Sequence, residues 1–332
     1  MKTEISRFCA EIGRDPLLVQ GAGGNASWKD KDALWVKASG TWLAEAEEKD
    51  IFVPVDLSHL RTAITAGDYS VTPRVSAQSG LRPSIETLLH ALLPHRVVAH
   101  FHAVDVLAWL VRKNVREALS EKIADMTDGV VVDYQKPGPD LAKAVCDVLK
   151  RKVKTDILFL KNHGVVIGGN DVQEIRQRLK NLLAKLTQPA PERLPLTAFP
   201  APIKGYMPVS SPVLHHLACD NGLFSRLASE WALYPDHVVF LGSRASYYLT
   251  WDECEKKLSG AAFMPDTIIV RSAGVYVTSA FTKAQLAQLR CYFDVLLRQP
   301  PGTLLTSLSE EQIASLLDWD AEKYRRQSSV PA

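Results

Sequence analysis

Seven of the 24 residues from Pro189 to Pro212 are proline. Each proline removes a backbone donor and locks φ, so a segment this dense cannot continue a helix or a central strand. Residues 188–212 therefore read as an extended connector. It divides the chain of 332 residues into 1–187 and 213–332, enough for two domains or for one large domain with an appendage. No internal repeat is evident.

The first part alternates helical and strand patterns, which predicts a mixed α/β domain. Ile5 to Arg14 reads as an opening helix and Ala33-Leu34-Trp35-Val36 as a short strand. Over 84–93, Ile85, Leu88, Leu89 and Leu92 form a helical stripe, with Ser84 as N-cap and Pro94 as the stop. Residues 140–151 and 173–186 are two further helices. The second part reads as a smaller α/β module: a helix near 213–232, strands at 237–241 and 267–277, and helices over 282–298 and 307–325. No chemical constellation is expected there, and His215-His216 reads as a helix surface feature.

The chemistry concentrates before the connector. His100 and His102 sit one residue apart in the apolar run from Val97 to Val104. Alternate residues of a strand share a face, so both imidazoles point the same way while Phe101 and Ala103 turn into packing. His163 follows a second apolar run, Ile157-Leu158-Phe159-Leu160, at the turn Lys161-Asn162-His163-Gly164. A lone histidine in an apolar strand is ordinarily a core residue bonded to backbone or water. A pair on one face is costlier to bury, because every ring nitrogen needs a partner. Three imidazoles match the ligand set of catalytic zinc, which keeps its fourth position open.

Three turns rich in small residues accompany them. Gly21-Ala22-Gly23-Gly24-Asn25-Ala26 satisfies a dinucleotide-binding pattern in letters, but that pattern needs a strand before it and a helix after it. Here Ser27 to Asp32 lead into a strand, as in a hairpin, so the nucleotide reading is rejected. The loop, with Asn25 and Ser27, can still cradle an anion through backbone N–H groups. Ala38-Ser39-Gly40-Thr41 offers more donors, and Arg82-Pro83-Ser84 opens a helix, where the dipole favours anions. Together they predict a phosphate or carboxylate site. Glu86, in the first turn of that helix, either complements the dipole or, beside a divalent metal, ligates it or serves as a general base.

Gly23-Gly24-Asn25-Ala26-Ser27, Lys37-Ala38-Ser39-Gly40, Arg82-Pro83-Ser84-Ile85-Glu86, His100-Phe101-His102 and Asn162-His163-Gly164 resemble, in order and spacing, the class II aldolase/adducin family. The resemblance spans roughly residues 5–187. The run from Arg82 to Pro94, Pro137 to Lys143 and Leu317 to Tyr324 is similar to the aldolase half of bifunctional rhamnulose-phosphate aldolase/lactaldehyde dehydrogenases. The resemblance implies an α/β fold: a three-layer α/β/α domain with a central, largely antiparallel sheet, plus the smaller C-terminal α/β module. It implies His100, His102 and His163 as ligands of Zn2+ or another divalent metal ion, and Glu86 as the catalytic base or resting fourth ligand. Asn25, Ser39, Gly40 and Ser84 fall on substrate- and phosphate-binding positions. Ile85 stands where the aldolases carry a second serine, so one phosphate donor is missing. The implied activity is retro-aldol cleavage of a small phosphorylated ketose, or a related hydroxy-keto substrate, through a metal-stabilised enediolate. Epimerisation, dehydration or decarboxylation at the same site is the alternative, and a non-catalytic adducin-like binding protein is another. Adducin-like members lack the histidines, whereas this chain has all three. The family also implies a homo-oligomer, with a tetramer as the expected state.

Composition excludes little but points the same way. A hydrophobic fraction of 46%, a charged fraction of 23% and a net charge of +2 describe an ordinary globular chain with no nucleic-acid or membrane partner. The basic run Lys150-Arg151-Lys152-Val153-Lys154 reads as a solvated helix end. No apolar stretch reaches membrane-spanning length and the N-terminus lacks a signal-peptide core, which predicts a cytoplasmic protein. The five cysteines are scattered, as for reduced thiols.

Overall fold

The strands of the first part are β1 (Asn25–Asp30), β2 (Ala33–Lys37), β3 (Phe52–Asp56), β4 (Val97–Phe101), β5 (Gly129–Val132), β6 (Ile157–Leu160) and β7 (Gly164–Gly169). They form one sheet in the order β3-β2-β1-β4-β7-β6-β5. Neighbours are antiparallel except β5 and β6. The computed structural model from which this comes describes residues 1–76, 80–126, 128–152, 154–198, 200–261 and 264–328.

Strand alternation sets the layers. Val97, Ala99 and Phe101 of β4 face a core built with α1 (Lys2–Arg14), α4 (Val104–Leu110), α5 (Val115–Lys122) and α7 (Val172–Leu186). Val98 faces the opposite layer, where Leu89 of α3 (Thr87–Leu92) and Leu141 and Val145 of α6 (Pro139–Arg151) pack. α2 (Leu57–Thr65) covers β2 and β3 on that same side. The result is the three-layer α/β/α arrangement. His100 is in phase with Val98, so its ring belongs to the α3/α6 side.

The second part carries a four-stranded sheet, β8-β11-β10-β9, from β8 (Met207–Pro208), β9 (Tyr247–Tyr248), β10 (Thr267–Val270) and β11 (Gly274–Val277). Its helices are α8 (His216–Cys219), α9 (Asn221–Arg226), α10 (Pro235–Leu241), α11 (Trp251–Ser259), α12 (Lys283–Leu297), α13 (Glu310–Leu317) and α14 (Asp320–Ser328). Its core continues into the first part through α4. Val106 and Leu110 of that helix pack on the large sheet, while Val104 and Leu107 pack with Leu214, Leu289 and Tyr292. A helix buried on two sides is apolar on both, and the Val104–Leu110 run breaks this only at Asp105, which pairs with Arg298 (2.6 Å). The proline-rich segment contains β8, which pairs with β11 at the sheet edge, where proline is tolerated.

Several sequence expectations are corrected. Residues 237–241 are helical, because Pro235 occupies the first turn of α10 and Gly242, at φ 85°, ends it. Residues 267–277 are two strands turning at Ser272 (φ 59°). Residues 213–232 do not form one helix: the chain breaks at Asp220, whose carboxylate accepts from the N–H groups of Gly222 and Leu223 to start α9. Residues 307–325 are likewise divided between α13 and α14. His215 is a buried core residue whose Nδ1 accepts from Val275 N–H, rather than a surface feature. Lys150 and Arg151 end α6 exposed to solvent, while Val153 of the basic run and Phe199 of the connector lie outside the described residues. No helix among the described residues is long and apolar enough to cross a membrane.

Candidate metal centre

His100 is the last residue but one of β4, beside Asn25 of β1 and Val166 of β7, its register partners. His102 follows just past the strand end. His163 lies in the tight turn from β6 to β7, where Asn162 takes the left-handed conformation (φ 52°), one that asparagine tolerates better than most residues. The Asn162 amide donates to the carbonyls of Leu233 (2.8 Å) and Thr306 (2.7 Å), tying the turn to the C-terminal module. Gly164 is required next to it. A Cβ there would lie 2.4 Å from the Phe101 carbonyl and 2.9 Å from His100 Nε2.

All three imidazoles are buried, and their potential ligand atoms lie within 4.8 Å of one another. Glu86 joins them at the N-cap position of α3, where its side chain makes no capping hydrogen bond. Instead Oε2 accepts from His100 Nδ1 (2.7 Å) and from the Asn25 amide (2.7 Å), and Oε1 lies 3.6 Å from His163 Nε2. Burial works to raise the Glu86 pKa. The charges of His100 and His163 and the two hydrogen bonds outweigh it, holding the carboxyl well below its usual range. Burial pushes His163 down to about 3, with Glu86 only partly opposing it. The site at neutral pH thus combines an ionised carboxylate with a neutral imidazole that has a lone pair to give.

Three buried atoms here, His100 Nε2, His163 Nδ1 and Glu86 Oε1, have no hydrogen-bond partner. Orphaned buried polar atoms are costly, and a cluster of imidazole and carboxylate donors suits a zinc-type divalent ion. The residues fit such an ion.

A hydrogen-bond chain behind Glu86 escaped sequence reasoning. The Ser27 hydroxyl pairs with His90 Nδ1 (2.7 Å), and His90 Nε2 pairs with the Asn25 side-chain carbonyl. Burial holds His90 down at about 3, so it is neutral. A proton on Nε2 then points the Asn25 amide N–H at Glu86. Ser27 is therefore engaged in this chain rather than facing an anion, and Asn25 is committed at both ends of its amide. The available signal was positional: His90 sits one helical turn after Glu86, on the same face.

The two other turns meet at the same pocket. Ser39 N–H donates to the Arg82 carbonyl (2.8 Å) and Ser84 N–H to the Lys37 carbonyl (3.0 Å), which brings Ser39, Gly40 and Ser84 side by side. Ser84 Oγ accepts from Glu86 N–H (3.2 Å). Lys37, which is buried, spans the loops: its ammonium donates to the carbonyls of Ala22 (3.2 Å) and Thr41 (2.6 Å). Ile85, Pro137 and Pro235 line the same pocket, whose room of about 20 Å³ suits one ion or water. The C-terminal segment braces the neighbouring loops through Arg82 stacked on Tyr324 (4.3 Å) and Lys136 on Trp319 (4.5 Å).

The C-terminal module also sends chemistry into the site, contrary to the sequence expectation. Asp236, in the first turn of α10, is buried with Oδ2 3.2 Å from His102 Nδ1. Nothing local in its sequence marks it, since its partner lies in the other half of the chain.

Residues 3–184 match the family described as Class II Aldolase and Adducin N-terminal domain. A curated relative, the uncharacterized oxidoreductase YuxG of Bacillus subtilis (strain 168), is 27% identical over 199 residues, covering 55% of this chain and 28% of that protein. The chain thus spans under a third of that relative's length. The N-terminal class II aldolase domain of a conserved protein from Thermoplasma acidophilum is 28% identical with a TM-score of 0.47, over 55% of this chain and 90% of that one. A sugar-phosphate aldolase from Thermotoga maritima is 18% identical with a TM-score of 0.44, over 56% of this chain and 91% of that one.

Proposed function

The chain belongs to the class II aldolase and adducin family, and from that premise we propose that it is a zinc-dependent lyase cleaving a small phosphorylated ketose, or a related hydroxy-keto substrate, by retro-aldol chemistry. One observation carries the reading: three buried imidazoles converge beside a carboxylate held ionised and oriented by Asn25 and His100. His100, His102 and His163 would hold the ion. When bound, such an ion supplies Lewis acidity toward a carbonyl and its adjacent hydroxyl. Glu86 takes the proton from the hydroxyl at the bond to be broken, and the electrons of the breaking C–C bond stay with the carbonyl-bearing fragment. Asn25 positions Glu86. Ser39, Gly40 and Ser84 receive the anionic end of the substrate, with the Lys37 ammonium adding positive charge beneath them.

The test is a screen of sugar 1-phosphates with zinc-loaded protein. Release of dihydroxyacetone phosphate and an aldehyde is the expected result. Carbon dioxide, or an isomer without fragmentation, would reassign the reaction. Metal binding without any turnover would leave a binding protein.

A further inference from the structure

We propose that Asp236, delivered by the C-terminal module, is the positioning carboxylate of His102 and hence a built-in part of the metal centre. The inference rests on the metal reading above. It adds that the first part of the chain does not complete that centre by itself.

Three observations converge. The Asp236 carboxylate is 2% exposed and meets His102 at Nδ1, 3.2 Å away. A buried carboxylate needs such a partner, because an unpaired one costs several kcal/mol. It is also held from behind: Gln288 of α12, itself buried, donates its amide toward Asp236 Oδ2 (3.4 Å) and the Gln20 carbonyl (3.4 Å). Gln20 in turn donates to the His102 carbonyl (3.2 Å). His102 is thus gripped at both its ring and its backbone by one small network.

The glycines on either side of His102 give the orientation of the ring. A Cβ on Gly23 would fall 2.6 Å from Asp236 Oδ2 and 2.8 Å from His102 Nδ1, so the pair closes only because residue 23 has no side chain. A Cβ on Gly164 would fall 2.9 Å from His100 Nε2 and 3.1 Å from His102 Cδ2. The Cδ2–Nε2 edge of His102 therefore turns toward the orphaned Nε2 of His100, while Nδ1 turns toward Asp236. A carboxylate on Nδ1 fixes the tautomer that leaves Nε2 as the ligand atom and raises its basicity. As a first-turn acid of α10, Asp236 also complements the helix dipole, but its Oδ2 lies 3.2 Å from the imidazole of His102.

The experiment measures the Zn2+ dissociation constant of full-length protein by competition with a chromogenic chelator, alongside the urea unfolding midpoint of the metal-free protein. Loss of a partner behind a metal-bound histidine typically weakens metal binding about 10–100-fold. That loss is expected for Asp236→Asn with the unfolding midpoint little changed. Gly23→Ala, whose backbone conformation alanine can adopt, should drive the pair apart from the other side and weaken zinc similarly. Folded Asp236→Asn protein binding zinc as tightly as wild type would overturn the proposal. Should that variant not fold, folded Gly23→Ala with unchanged affinity would overturn it equally. Wild-type protein that binds no zinc would remove the metal reading itself, an outcome visible before any variant is made.

Discussion

Replacing Glu86 with glutamine keeps the side chain's shape and removes its charge. Oε2 of Glu86 accepts from Asn25 and from His100, each at 2.7 Å. The single oxygen of glutamine can occupy that position and keep both contacts. Its amide nitrogen then replaces Oε1 near His163 and presents hydrogens where a lone pair stood. Each retained bond falls from the charge-assisted class, about 1.5–3 kcal/mol, to the neutral class, about 0.5–1.5 kcal/mol. Cheaper burial of a neutral group offsets part of this, so the net stability change is on the order of 1 kcal/mol and the protein stays folded. Turnover responds differently, since an amide cannot take a proton from substrate. General-base catalysis contributes roughly 10²–10⁴-fold, or about 3–5 kcal/mol of barrier. Initial rates at saturating Zn2+, with zinc content measured on the same sample, should show a kcat loss in that range with metal retained. Zinc-loaded Glu86→Gln protein turning over within about threefold of wild type would refute the reasoning. Loss of the metal would instead reassign Glu86 as a ligand.

Other predictions follow from the same geometry. Elemental analysis should find about one zinc per chain, falling to near none in His100→Ala/His102→Ala, since one imidazole and a carboxylate make a poor site; retained metal would place it elsewhere. Ser39→Ala should raise KM several-fold with kcat nearly unchanged, whereas Asn25→Ala should lower kcat more than it raises KM, because its amide is spent orienting Glu86; steady-state kinetics on the pair separates the roles. The metal-free protein should lose stability in acid. His90, His163 and His237 are each held by burial at about 3 in the folded chain, against about 6.5 unfolded. A depressed histidine pKa means the unfolded chain binds the extra proton, so stability is full above pH ~6.5 and declines as pH falls toward 3. Between pH 6.5 and 5 each contributes a loss of about 2 kcal/mol at ~1.4 kcal/mol per unit. The depressed Glu86 pKa adds its own loss only below the ordinary carboxylate range. A urea midpoint unchanged between pH 7 and pH 5 would contradict this.

Features that repeat over a few residues were legible in the chain. The alternation Val97-Val98-Ala99-His100-Phe101 assigns each side chain to a face, so the orientation of His100 followed from strand period alone. The hairpin after Gly24, the helices α6 and α7 and the three imidazoles were local in the same sense. Pattern failed where a short apolar run suits either structure: Val238 to Leu241 is as good a strand as a helix until Pro235 and the packing on α12 decide. It also failed where partners are distant. Asn25 with Ser27 in a glycine-rich loop reads as an anion cradle, and only the approach of α3 turns both side chains toward His90 and Glu86. Asp236 is the extreme case. An aspartate after a proline at a helix start has an ordinary local explanation, and its pairing with His102 exists only because α12 packs on α4 and carries α10 to the end of β4. Local periodicity records which face a residue takes. Which charge waits on that face is decided by packing between segments far apart in the chain, and that leaves no periodic trace.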